Sequence, residues 1–184
     1  VNFPTDHEQW ISFVGTDEGI ASMLMDTDTI AFVGCSTHTT LLRHENPLLD
    51  EDTTAIHVTP DAHELGKNYH VDAGVLGDPG RVMTRLAETV TDRLDEETRE
   101  ERLQNVLDTK EMLAGTMKQL GEDPKPEGDT RASKAELVDA MKSVAPDAYV
   151  VDEGITAKYP LLTRWEMDAE GMISNKGGGL GYGL

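Results

Sequence analysis

The chain has 184 residues, few aromatics (5%), 38% hydrophobic residues and a formal net charge of −19 from 35 acidic against 16 basic side chains. With no basic patch to release counterions from a phosphate backbone, nucleic acid is excluded as a partner, and an anionic membrane surface equally so. The acids are spread between apolar runs rather than gathered in a tail, the pattern of a folded, strongly solvated surface working in high salt, which points to a halophilic source.

No apolar stretch approaches the roughly 20 residues that span a bilayer, and no signal peptide opens the chain. Cys35 is the single cysteine, so no intrachain disulfide forms and the cytoplasm is the expected compartment. The chain opens at Val1 without methionine, which suits a fragment.

In chain order, TDEGIASMLM (16–25) has the apolar spacing of a short helix. DTIAFVG (28–34) reads as a buried strand ending in glycine, with Cys35 behind it as a small hydrophobe at the strand end rather than a catalytic thiol. TTAIHVT (53–59) is a second strand, followed by a Pro60-Asp61 turn, and residues 71–76 form a third, closed by Gly77-Asp78-Pro79. Residues 80–90 then read as a helix with Val82, Met83, Leu86 and Val90 on one face. Strands alternating with helices across short loops predict a Rossmann-like parallel sheet flanked by helices over residues 1–90.

Residues 91–130 form a connector: a charged helix or helix pair to residue 120, without a sustained heptad repeat, then the linker GEDPKPEGDT. An incomplete second α/β unit is expected over 131–184. Its helix starts at Ser133, which forms a capping box with Glu136, and runs to about Val144. AYVV (148–151) is its strand, with Asp152-Glu153-Gly154 at the carboxyl end, where open α/β sheets bind ligands. Glu153 reads equally as a catalytic carboxylate or as one that orders the turn. GGGLGYGL (177–184) places apolar residues too regularly for a plain flexible tail and reads as a cofactor loop. One helix, one strand and this loop are too little to bury a core.

Three stretches in this order resemble the thiamine-diphosphate enzyme family, of the benzoylformate decarboxylase and acetolactate synthase kind. FPTDHEQWISFVG is similar to the opening of its central domain, IHVTPDAHELGKNYHVDAGVLGDP to that domain's core, and VVDEGIT with GGGLGYGL to the start of its diphosphate-binding domain. The resemblance implies an enzyme that uses thiamine diphosphate and Mg²⁺ to decarboxylate or ligate 2-oxo acids, working as a homodimer or homotetramer. By position, Gly154, Ile155 and Thr156 fall at the diphosphate, Thr156 offering a hydroxyl and Ile155 its backbone N–H. Gly178, with Gly179 beside it, falls where a carbonyl accepts from the aminopyrimidine, and Leu180 where a bulky side chain bends the cofactor. The family's activating glutamate and its metal-binding Gly-Asp-Gly are not in this sequence, so the chain alone is expected to be inactive.

Some family members bind FAD or ADP across the central domain. In this chain the loop VGCSTHTT lacks the G-x-G-x-x-G fingerprint, although its hydroxyls could accept a phosphate. The histidines His7, His38, His44, His57, His63 and His70 show no close metal-ligand spacing. The rival reading is a non-catalytic Rossmann-like module that binds a nucleotide or mediates oligomer contacts. A sirtuin-like or transhydrogenase-like nucleotide domain is weaker still, since it leaves residues 148–184 unexplained.

Overall fold

The computed structural model describes residues 3–11, 27–36, 49–167 and 171–174. Its contacts divide the chain into two compact units, residues 13–98 and residues 1–12 with 99–184. Both units pair their strands in parallel and carry helices, so the fold is α/β, Rossmann-like in the 13–98 unit.

In that unit β1 (Thr29–Val33), β2 (Thr54–Thr59) and β3 (Ala73–Leu76) form a three-stranded sheet in the order β1-β2-β3. β2 is paired on both sides, in a register that sets Phe32 beside His57 and Val58 beside Val75. It is accordingly the buried strand, with Ala55, Val58 and Thr59 nearly inaccessible. Phe32 and Leu49 make the small core, with Ile30 and Tyr69 against it.

The third strand starts later than its apolar pattern predicts. Asp72 donates its N–H to the Ala55 carbonyl (2.8 Å), while its carboxylate, not a ladder carbonyl, receives the Ala55 N–H at 2.8 Å. Asp72 thus acts as a side-chain clamp ahead of the ladder. α1 (Pro79–Thr91) follows, with Asp78 as N-cap accepting the Arg81 N–H at 2.9 Å and Pro79 in the first turn. Its predicted apolar stripe is only half covered, Met83, Leu86 and Val90 all remaining partly exposed. The helix expected over 16–25 lies outside the described residues.

The charged stretch is one long helix, α2 (Glu96–Glu122), opened by Asp95, whose carboxylate accepts the Thr98 N–H at 2.8 Å; from Arg99 on it belongs to the other unit. The stretch read as a linker is held by charge. Asp123 accepts the Lys134 N–H at 2.8 Å and meets its ammonium at 2.7 Å, and Lys125 pairs with Glu136 at 2.8 Å. These contacts hold the carboxyls of Asp123 and Glu136 below the usual range.

α3 (Lys134–Val144) carries both halves of the predicted capping box, Glu136 N–H to Ser133 Oγ at 3.1 Å and Ser133 N–H to the Glu136 carboxylate at 2.8 Å. β4 (Val150–Asp152), α4 (Lys158–Arg164) and β5 (Met172–Ser174) complete the unit, β4 and β5 pairing in parallel. The sequence reading missed α4 and β5. They supply Leu161 and Met172, which with Val138, Trp165 and Met167 bury a core that one helix and one strand could not. Arg164 reaches back to Asp139 at 2.9 Å and holds that carboxyl low.

The opening segment makes its contacts in this unit too. Thr5 N–H donates to the Met167 carbonyl at 3.2 Å, the Met167 N–H donates to Thr5 Oγ1 at 3.0 Å, and Lys110 donates to the carbonyls of His7 and Glu8 at 3.2 and 2.9 Å.

Candidate functional site

The β4–β5 pair brings its two carboxyl ends to one level, because the parallel register sets Asp152 beside Ser174. The loop from Glu153 to Ala157 leaves one end, and the glycine-rich stretch follows the other in sequence. Gly178, Gly179 and Leu180 themselves lie outside the described residues.

The loop is organised by Asp152, which is 6% exposed. One of its carboxylate oxygens accepts the Gly154 N–H at 2.8 Å, and the other faces the ammonium of Lys158, the first residue of α4, at 3.4 Å. A side chain at position 154 would press on that carboxylate, since a Cβ there comes within 3.1 Å of Asp152 Oδ1 and 3.4 Å of Ala157 Cβ. Ile155, 67% exposed, and the exposed Thr156 follow. Their backbone N–H groups and the Thr156 hydroxyl are engaged by none of the described residues.

This donor set suits an anionic diphosphate: two N–H groups, a hydroxyl and a nearby ammonium at the carboxyl end of a parallel pair. Gly154, Ile155 and Thr156, three of the residues expected at the diphosphate, lie in this loop. The structure adds Lys158, which the sequence reading passed over, and gives a role to Asp152, read there only as part of the turn. Their signal was an acid closing a strand with a lysine opening the next helix. Of the two acids read at the turn, Asp152 is the one that takes the Gly154 N–H. Among the described residues no cluster of histidine, cysteine and carboxylate side chains is suited to a metal ion.

The carboxyl end of the three-stranded sheet is of different chemistry. Gly34, at φ +65°, turns the chain after β1, and its N–H donates to the Val58 carbonyl at 2.8 Å. Cys35 is exposed there, not a packed hydrophobe. Ser36 donates its hydroxyl to Glu64, whose other oxygen meets Lys67 at 3.0 Å, and the first turn of α1 is already capped by Asp78. Two groups a nucleotide phosphate could use there, the Ser36 hydroxyl and the Arg81 N–H, are thus taken up by carboxylates. Thr37, His38 and His44 lie outside the described residues.

Beneath that turn His57 is fully buried. Gly66 N–H donates to its Nδ1 at 3.1 Å, which leaves Nε2–H to donate to the Cys35 carbonyl at 2.8 Å. It ties two loops together, with the Phe32 ring edge-on at 6.2 Å. No pattern in the sequence marked it, being one histidine within an apolar strand.

Residues 2–86 match a protein family described as thiamine pyrophosphate enzyme, central domain. No curated protein matches the chain. The match covers the three-stranded sheet and most of α1, and supports kinship of that stretch with thiamine-diphosphate enzymes. No described helix is long and apolar enough to cross a membrane.

Proposed function

We propose that the chain is part of a thiamine-diphosphate-dependent enzyme that decarboxylates or ligates 2-oxo acids, of the benzoylformate decarboxylase or acetolactate synthase type, assembled as a homodimer or homotetramer. The observation that carries this is the donor set at the end of β4, in a chain whose residues 2–86 match the central domain of that family.

In this reading the N–H groups of Ile155 and Thr156 and the Thr156 hydroxyl bind the diphosphate, while Lys158 balances its charge. Gly178 and Gly179 bring the backbone close to the aminopyrimidine, and Leu180 supports the bent form of the cofactor. Thiamine diphosphate supplies a nucleophilic carbon and an electron sink for the loss of CO2. The residues of this chain bind and orient it, and the 13–98 unit serves as scaffold, not as a nucleotide site. The 184-residue chain alone is expected to bind the cofactor weakly, since the Gly-Asp-Gly that would hold Mg²⁺ in the family is not in its sequence.

The test is an assay of the enzyme as its gene encodes it, in molar KCl, for CO2 release from pyruvate and from phenylglyoxylate with thiamine diphosphate and Mg²⁺. Release that requires the cofactor is expected. No release from any 2-oxo acid, with no binding of thiamine diphosphate by calorimetry, would overturn the reading.

A further inference from the structure

We infer that Asp152 is the positioning residue of the Gly154–Thr156 loop, an inference that rests on the reading of this loop as a diphosphate cradle. A buried carboxylate is costly unless its oxygens are hydrogen-bonded or paired. Asp152 finds such partners on opposite sides of the loop. Oδ1 takes the Gly154 N–H at 2.8 Å where the loop begins, and Oδ2 faces Lys158 Nζ at 3.4 Å in the first turn of α4. One side chain therefore spans the loop from its start to the helix that receives it.

Three consequences follow from this placement. The Gly154 N–H is drawn inward to the carboxylate, and the next two donors, on Ile155 and Thr156, remain for an external anion. The absence of a side chain at 154 lets the backbone approach Asp152, because an added Cβ would sit 3.1 Å from its Oδ1. Lys158 offsets the carboxylate's charge, so an anion at the loop is not met by bare negative charge. Lys158 is the more exposed member of the pair, 22% against 4% for the Asp152 side chain, and its ammonium can be shared with a bound phosphate. Asp152 touches no ligand in this scheme. It fixes which amides face outward.

The experiment compares Asp152→Ala, Asp152→Asn and the neutral pair Asp152→Asn/Lys158→Met in the enzyme as its gene encodes it. Calorimetry gives the Kd of thiamine diphosphate and of inorganic diphosphate, and hydrogen exchange without ligand reports on amides 153–157. Asp152→Ala should weaken both probes by about ten- to hundredfold, the worth of a hydrogen bond to a charged group, and accelerate exchange at Gly154. The neutral pair keeps an acceptor for Gly154 but also removes the ammonium that faces the diphosphate, so its Kd should recover only part of the way, to between Asp152→Ala and wild type.

Loss of a merely structural carboxylate would not be rescued in this way. Wild-type binding by Asp152→Ala, or a neutral pair as weak as Asp152→Ala, would overturn the inference. Should Asp152→Ala fail to fold, Asp152→Asn sets an amide NH2 against the Lys158 ammonium and should bind weakly until Lys158→Met is added; no such recovery refutes the inference. If wild type binds neither probe, the cradle reading fails by itself. Asp152 is then judged on exchange alone, unchanged exchange in its variants refuting the role.

Discussion

Two glycines in α2 should respond in opposite directions to the same substitution. Gly115 is exposed and an added Cβ meets nothing within 4 Å, so Gly115→Ala gains helix propensity alone, about 0.5–1 kcal/mol of stability. Gly121 is buried near the end of the same helix, and its added Cβ would overlap Thr163 Oγ1 and lie 2.9 Å from Thr163 Cβ. Thr163 cannot simply rotate away, because its hydroxyl donates to the Tyr159 carbonyl at 2.7 Å and its Cβ is fixed to α4. Overpacking of this kind costs about 1–3 kcal/mol, which exceeds the propensity gain of under ~1 kcal/mol in a last turn. The unfolded chain changes equally in both variants, so that contribution cancels between them.

Urea unfolding followed by tryptophan emission, Trp165 being buried, should separate the two variants by about 2–3 kcal/mol, with Gly115→Ala above wild type and Gly121→Ala below. A double variant with Thr163→Gly should recover part of the loss through direct coupling. Gly121→Ala at least as stable as wild type would refute the close approach of α2 and α4.

Removing the cap in Ser133→Ala should cost about 1 kcal/mol, read as a lowered urea midpoint with unchanged slope; no change would mean that Asp123 alone satisfies the first turn of α3. His57→Leu leaves the Gly66 N–H and Cys35 carbonyl without their partner at about 1–3 kcal/mol for each group that water does not reach, and should accelerate exchange of the Gly66 amide; unchanged exchange would contradict a ring protonated on Nε2 and accepting at Nδ1. Asp139 is held low by its hydrogen bond to Arg164, so it favours folding above the ordinary aspartate value near 4 and loses that contribution as pH falls through its lower folded value. In high salt, stability should therefore decline below about pH 4, and Arg164→Met should flatten part of that decline; identical acid profiles would rule the pair out as a contributor.

The elements legible in the sequence were those with local signals. The capping box of Ser133 and Glu136 and the apolar runs of β1 and β2 each act within a few residues, and each formed where its pattern predicted. β5 and α4 were missed because three residues of strand and a seven-residue helix containing Pro160 carry almost no periodicity. What defines them is burial of Leu161 and Met172 against Val138, contacts that no local window contains. The same holds at the site. Residues 154–156 were placed by position through the family resemblance, while Asp152 acquires its role only from the distance to Lys158, set by the turn between β4 and α4.

The bond between Thr5 and Met167 sets a timetable for synthesis. Residues 13–98 have their three described strands in hand once Thr98 is made, whereas Thr5 waits for a partner 162 positions later. At about 5–20 residues per second, that interval is roughly 10–30 s on the ribosome. Throughout it Thr5 lacks the Met167 backbone to which it bonds. The unit that holds the opening segment is therefore the later of the two to close, although its first residues are the earliest to emerge.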